Sequence, residues 1–286
     1  MATFFNQATL SYNGNIADSN ITTGRIIETL SATKNALTPT YTGTDDITYV
    51  VSVINSGDTA FANLTITDDL GKYTLADGTT EVVPLTYVSG TVNYFVNGVL
   101  QAAPDVTDTE PLTVTGISVP AGGNAIIIYS ARPNEYAPLG ENASVTNTVK
   151  ISGNSSITPI TASETVTNST EPSLTISKAL DPEVVTENGN ITYTFDIRNY
   201  GAATDISDDV IFRDVFNPVL DITSVTFNGT PWVLGTDYTY NTATGEFISL
   251  NGSITVPAAT FSQDPETGVW TADPGVSTLV ITGAIA

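Results

Sequence analysis

The sequence predicts an all-β protein: two tandem Ig-like β-sandwich domains with an extra N-terminal donor strand. Three observations predict it. Apolar and polar residues alternate with a period of two, Gly- and Asn-rich turns separate short apolar runs, and the second half of the chain repeats the first. A length of 286 residues suits two domains.

In chain order, Asn6 to Gly14 reads as a first strand, with Phe4, Asn6, Ala8, Leu10 and Tyr12 on one face. Leu30, Ala32 and Lys34 share a face of the next strand. Ile47, Tyr49, Val51 and Val53 share a face of the one after, which ends in the turn Asn55-Ser56-Gly57. Asp68 alternates with Leu64, Ile66 and Leu70. Asn97-Gly98 is a hairpin signal, because both residues tolerate the positive φ of a type I′ turn. A turn at Ala121-Gly122-Gly123 precedes the apolar run Ile126 to Tyr129, and Asn147, Val149 and Ile151 form the inner face of a closing strand.

The second copy keeps the same order. Leu174, Ile176 and Lys178 match Leu30, Ala32 and Lys34, and Ile191, Tyr193, Phe195 and Ile197 match the Ile47 strand. Asn199-Tyr200-Gly201, Asp214 between Phe212 and Phe216, Asn228-Gly229, Val256-Pro257-Ala258 and Leu279 to Ile281 complete the series. No counterpart of the Asn147 strand appears after Ile281; the matching pattern lies at the other end of the chain, at Asn6. The predicted organisation is therefore a donor-strand segment at 1–28, a sandwich at 29–170 with its own closing strand near 145–153, and a sandwich at 171–286 without one. Such a second domain exposes an apolar groove and an unpaired sheet edge, which an extended segment fills by strand addition. If the segment comes from a neighbour, the contact is head-to-tail and repeats into a ring or filament. Closure within one chain is the alternative, opposed by the short linker near Thr170-Glu171-Pro172.

Composition narrows the function. Thirty acids against eight lysines and arginines give a formal charge of −22, which repels nucleic acid and anionic membranes. Cysteine and histidine are absent, which removes disulfides, thiolate chemistry, the usual zinc sites and His-based triads. No catalytic residue, cofactor or metal site is expected, and the partner expected is the chain itself. No stretch is apolar for long enough to insert in a bilayer. The N-terminus has neither the basic start nor the apolar run of a secretory signal, and the C-terminus has no sorting motif, so the sequence leaves the export route unstated. Weaker signals are acidic pairs at Asp45-Asp46, Asp68-Asp69 and Asp208-Asp209, without EF-hand spacing. Asp237 with Glu246, or Asp264 with Glu266, fit glycosidase carboxylates only in residue type. Trp232 and Trp270 suit sugar stacking or plain packing.

These motifs resemble the DUF11-type conserved repeat domain of bacterial surface proteins. The resemblance rests on Lys34, Gly43 to Tyr49, Asn55 to Gly57, Thr67 to Leu70 and Asn147. In the second copy it rests on Lys178, Gly189 to Tyr193, Asn199 to Gly201 and Asp214, with Asn6-Gln7-Ala8 as the closing pattern. Arg213 and Phe216 depart from the Thr and Leu of that motif. The resemblance implies prealbumin-like or Ig-like sandwiches of stalks and surface layers, and hence a structural subunit at a cell or spore surface. A monomeric stalk or adhesin binding through loops near Trp232 and Trp270 is the competing expectation, and a hydrolase is a third.

By resemblance to pilus stalk domains, a lysine, an asparagine and an acid in an apolar core form a Lys–Asn isopeptide bond. Burial favours the neutral amine and the protonated acid, which are the reactive forms. Two sets are candidates: Lys34, Asp68 and Asn147, and Lys178, Asp214 and Asn6. A buried polar cluster without a bond and a lysine snorkelling to water remain open alternatives.

Overall fold

The computed structural model describes residues 2–26, 30–43, 45–153, 158–169 and 171–285. Among them there is no α-helix, only one 3-10 turn at Ile206–Asp208. The N-terminal segment comprises β1 (Ala2–Asn6), β2 (Thr9–Tyr12), β3 (Asn15–Asp18) and β4 (Thr22–Ile26). Then come β5 (Leu30–Ala36), β6 (Thr40–Tyr41), β7 (Ile47–Asn55), β8 (Phe61–Asp68), β9 (Tyr73–Thr74), β10 (Glu81–Val82), β11 (Leu85–Tyr87) and β12 (Asn93–Val96). They are followed by β13 (Val99–Leu100), β14 (Asp105–Thr109), β15 (Leu112–Val119), β16 (Asn124–Pro133), β17 (Ser144–Ser152) and β18 (Ile160–Asn168). The second copy holds β19 (Leu174–Asp181), β20 (Asn190–Asn199), β21 (Arg213–Val215), β22 (Leu220–Phe227) and β23 (Thr230–Pro231). Its last strands are β24 (Tyr238–Asn241), β25 (Glu246–Ser249), β26 (Thr260–Gln263), β27 (Trp270–Asp273) and β28 (Gly275–Ile285).

The chain divides into two compact units, 1–137 with 144–167, and 138–143 with 168–286. In unit 1 one sheet runs β13-β12-β16-β7-β5 and the other β14-β15-β8-β17-β18-β6. Alternation aims Tyr49, Val51, Ile127 and Tyr129 from the first sheet at Leu64, Ile66, Val114 and Ile151 of the second, and all are buried. In unit 2 the order β23-β22-β28-β20-β19 repeats the first sheet strand for strand. Even the register agrees: Tyr129 faces Tyr49 as Ile281 faces Tyr193. The second sheet is reduced to β21-β25-β24, so β21 stands at its edge. Nothing among the described residues of unit 2 takes the places that β17 and β18 hold beside β8.

The predicted hairpin turns form at Asn97-Gly98 and Asn228-Gly229, each with both residues at positive φ. The N-terminal segment differs from expectation. Asn13-Gly14, with φ of 46° and 79°, turns the chain back on itself, so the segment is a two-stranded ribbon rather than one extended strand. β1 pairs with β4 and β2 with β3, and every described side chain from Phe4 to Thr23 is exposed.

The Asn-x-Gly turns have a direct physical cause. Asn55 is buried, donates from Nδ2 to the carbonyls of Thr59 (2.8 Å) and Pro120 (2.9 Å), and accepts from Gly57 N–H. Asn199 repeats this with Pro257 and Gly201. The asparagine amide supplies two N–H donors and a separate carbonyl acceptor on one short stem, which a hydroxyl does not. Asn55→Ala orphans these backbone groups and lowers the stability of unit 1 by about 2–4 kcal/mol in urea unfolding. Asn199→Ala does the same to unit 2, so each variant shifts a different transition.

Candidate functional site

In unit 1, β5 carries Lys34, β8 ends in Asp68 and β17 carries Asn147, and β17 approaches β5 as well as pairing with β8. Lys34 is 3% exposed, and Asp68 and Asn147 are 0% exposed. Lys34 Nζ donates to Asp68 Oδ2 at 2.5 Å, and Tyr129 Oη donates to the same oxygen at 2.6 Å. Leu70 N–H donates to Asp68 Oδ1 (3.0 Å). Asn147 Nδ2 reaches Tyr129 Oη at 3.4 Å, while its Oδ1 is buried without a hydrogen-bond partner. Lys34 Nζ lies 4.7 Å from the centre of the Tyr49 ring.

Burial dominates the electrostatics. Loss of water pushes Lys34 below the ordinary lysine range, against the pull of the Asp68 carboxylate, and pushes Asp68 above the ordinary carboxylate range. Both shifts favour the uncharged pair. The pocket thus brings together an amine able to lose its proton, a carboxyl able to hold one, and an amide whose carbonyl oxygen has no other partner. Tyr129 was not legible as part of this site, because its counterpart in the second copy is Ile281. Its parity with the inward-facing Ile127 was the available signal.

In unit 2 the expectation of three buried polar groups needs correction. Lys178 Nζ pairs with Asp214 Oδ2 at 2.6 Å, but the lysine side chain is 43% exposed and the aspartate 20%. Every residue of β19 is exposed, whereas the inward positions of β5 are half-buried or buried. The reason is the free edge of β21: among the described residues no strand takes the place of β17, which seals Lys34 and Asp68. Val215 N–H, whose counterpart Asp69 N–H donates to Thr148 of β17, turns instead to the Asp214 carboxylate (2.9 Å). An open apolar groove of about 280 Å³ lies along the gap, lined by Leu174, Ile176, Ile197, Val210, Phe212 and Ile254 among others. Asn6 is on the ribbon, where its carbonyl accepts from the Thr22 hydroxyl (3.1 Å), and is not joined to Lys178. Phe4, Ala8, Leu10 and Tyr12 are exposed beside it.

Other expected features take ordinary roles. Trp232 stacks between Phe227 and Tyr238, ring centres 5.2 Å and 6.5 Å away. Asp264 caps its own turn through Glu266 and Thr267 N–H, and Glu246 meets Arg213 at 3.5 Å. Among the described residues no three acidic groups converge as a metal site, and no helix is long and apolar enough to cross a membrane.

No protein-family model matches the chain, and no curated protein matches it. Among solved structures, it is similar to the pilus backbone RrgB of Streptococcus pneumoniae, with 14% identity over 86% of this chain and 55% of that one, at a TM-score of 0.35. The chain thus spans about half the length of that pilus protein. The major pilin subunit BcpA of Bacillus cereus matches with 11% identity over 96% of this chain and 73% of its own, also at 0.35. The collagen-binding domain of the surface protein RspB of Erysipelothrix rhusiopathiae matches with 15% identity over 57% and 58%, at 0.25.

The two lysine–aspartate pairs predict opposite sensitivities. Asp68→Asn replaces the buried carboxyl to which Lys34 and Tyr129 both donate and destabilises unit 1 by about 1–3 kcal/mol. Asp214→Asn, at a pair open to solvent, changes unit 2 by less than about 1 kcal/mol. Urea titration monitored separately for the two transitions measures both.

Proposed function

We propose that the protein is a structural subunit that polymerises head-to-tail into an extracellular fibre or a cell- or spore-surface appendage. It does so by giving its N-terminal segment to unit 2 of the next copy. The observation that carries this reading is the free edge of β21, set beside an apolar groove and a half-covered Lys178–Asp214 pair. In unit 1 the same place is filled by β17, and the chain holds one other segment with the pattern of β17, at Phe4 to Tyr12. An exposed sheet edge next to an exposed groove is an aggregation hazard unless a defined strand fills it. The resemblance to repeat domains of bacterial surface proteins supports the same reading.

A covalent seal belongs to the proposal. In unit 1 the Lys34 amine attacks Cγ of Asn147, a C–N bond forms, the bond from Cγ to Nδ2 breaks, and ammonia leaves carrying the displaced proton. Asp68 takes the proton from the amine and returns it to the leaving nitrogen. The unpartnered Asn147 Oδ1 is consistent with this role, since a carboxyl proton is the donor it lacks. The equivalent bond in the fibre joins Lys178 of one copy to Asn6 of the next, with Asp214 as the proton carrier. No metal, cofactor or turnover is involved.

A boiled denaturing gel with intact-mass measurement tests both layers. The expected result is a ladder of multimers, each lighter by one ammonia per unit 1 and one per junction. Deleting residues 1–14 leaves monomers only, and fibres from the truncated chain overturn the reading. Lys178→Ala keeps fibres under native conditions and removes the ladder on boiling; an unchanged ladder rules out the Lys178–Asn6 bond.

A further inference from the structure

We propose that the donated element is the whole two-stranded ribbon Ala2–Ile26, docking on β21 of a second copy as the β17–β18 pair docks on β8. This rests on the strand-donation reading above and changes what is donated. Among the described residues, the second sheet of unit 2 lacks three strands that unit 1 has beside β8, not one: β17, then β18, then β6, which pairs with β18.

The ribbon resembles that pair on both sides of a one-residue register shift between its β1–β4 and β2–β3 halves. Asn147 lies opposite Glu164 on β18, and Asn6 lies opposite Thr22 on β4. Two places before the asparagine, Val145 faces Val166, both buried in the core. At the same place in the ribbon, Phe4 faces Gly24. Its ring lies directly over the glycine, in the space that a Cβ there would occupy. A large side chain against none replaces two of middle size, so the inward face keeps a similar volume across both strands. Four places after the asparagine, Ile151 faces Ile160, and Leu10 faces Ala17 in the ribbon. This large-and-small pairing is expected if both ribbon strands must fit one inherited cavity. A strand that comes away alone has no need for its partner to be complementary.

The receiving side also extends past one strand. By the register of β17 on β8, Ala8 falls opposite Asp214, and Leu10 opposite Phe212 at the apolar groove. Among the described residues, the outer edges of β1 and β2 are unpaired, as is the edge of β21. The segment of unit 2 equivalent to β6 contains Val184, which is 87% exposed. The equal spacing of Lys34 to Ile47 and Lys178 to Ile191 sets this equivalence. In unit 1 that place is covered by β18, where Thr167 N–H donates to the Pro39 carbonyl.

The occupant is a second copy because of how unit 1 is threaded. The chain enters it at Leu30, beside Asn55, and leaves it at Thr167, beside Pro39, at opposite ends of β5 and the segment after it. The ribbon is tied to the entry end by the short stretch between Ile26 and Leu30, about 14 Å of chain when extended. Residues 168–286, the bulk of unit 2, follow that exit in the chain.

Full-length protein and three variants decide it, read as critical concentration for assembly and as backbone hydrogen exchange in the assembled state. Gly24→Val pushes the Phe4 ring off the inward face, and Phe4→Val leaves a hole there. Each is expected to raise the critical concentration roughly tenfold or more. The double variant Phe4→Val with Gly24→Val rebuilds the valine pair of unit 1 and restores assembly. In wild-type assemblies the amides of both Thr9–Tyr12 and Asn15–Ile26 are protected. If Gly24→Val assembles like wild type, or only the first strand gains protection, the ribbon is overturned while strand donation stands. If protein lacking residues 1–14 still assembles, strand donation itself fails, and the ribbon with it.

Discussion

Removing a lysine and an aspartate from water is the constraint on which the rest of this structure depends. Two charges in an apolar core cost several kcal/mol each unless they meet and their remaining valences are satisfied. Unit 1 meets that condition with three strands and the Tyr129 phenol: β5 brings Lys34, β8 brings Asp68, and β17 closes over both. Tyr129 and Leu70 N–H take up the carboxylate oxygens. β17 is therefore more than another strand of the sheet. It decides whether the pair is dry or wet, and unit 2 shows the wet state. There the same pair forms at nearly the same length, 2.6 Å against 2.5 Å, with the lysine side chain still open to solvent. Contact between the charges is common to both units; desolvation is what separates them.

Much of this was legible in residue parity. The inward positions of Lys34, Asp68 and Asn147 follow from alternation alone, because a strand offers only two faces. The order of the first sheet in both units follows from the repeat, since like sequences place like strands. What parity could not convey is which neighbour covers a face. Lys178 alternates with Leu174 and Ile176 as Lys34 does with Leu30 and Ala32, yet every residue of β19 is exposed. Burial is a property of the pair of edges, and a strand pattern reports only one of them.

The N-terminal segment departs from its sequence pattern for a related reason. Alternation from Phe4 to Tyr12 marks one good strand, and its match to β17 overshadows the residues beyond Tyr12. Asn13-Gly14 is the same dipeptide that marks the Asn97 and Asn228 hairpins, and Ile16 and Ile21 supply apolar residues for a return strand. Weighted equally with the other two, that turn predicts a ribbon. Tyr129 is hidden because the comparison of repeats favours what the copies share. A phenol in one copy and Ile281 in the other reads as core filling until the hydrogen bond to Asp68 is seen.

Desolvation also sets the order of events in the proposed fibre. In unit 1 the covering strand belongs to the same chain, so folding and burial coincide, and the chemistry proposed at Lys34 has only to wait for the fold. In unit 2 the cover arrives from outside. Before docking, water reaches the lysine, and the asparagine it would attack is on another molecule. Docking supplies the amide and removes the water in one step. A misregistered segment places its asparagine two residues away, or turns its apolar side outward, and then neither requirement is met. Reversible pairing of strand edges can thus sample registers before an irreversible bond fixes one of them. In that proposal, a subunit cut one hairpin out of phase gains a joint that reacts only after correct assembly, from the same three residue types that meet in its own first unit.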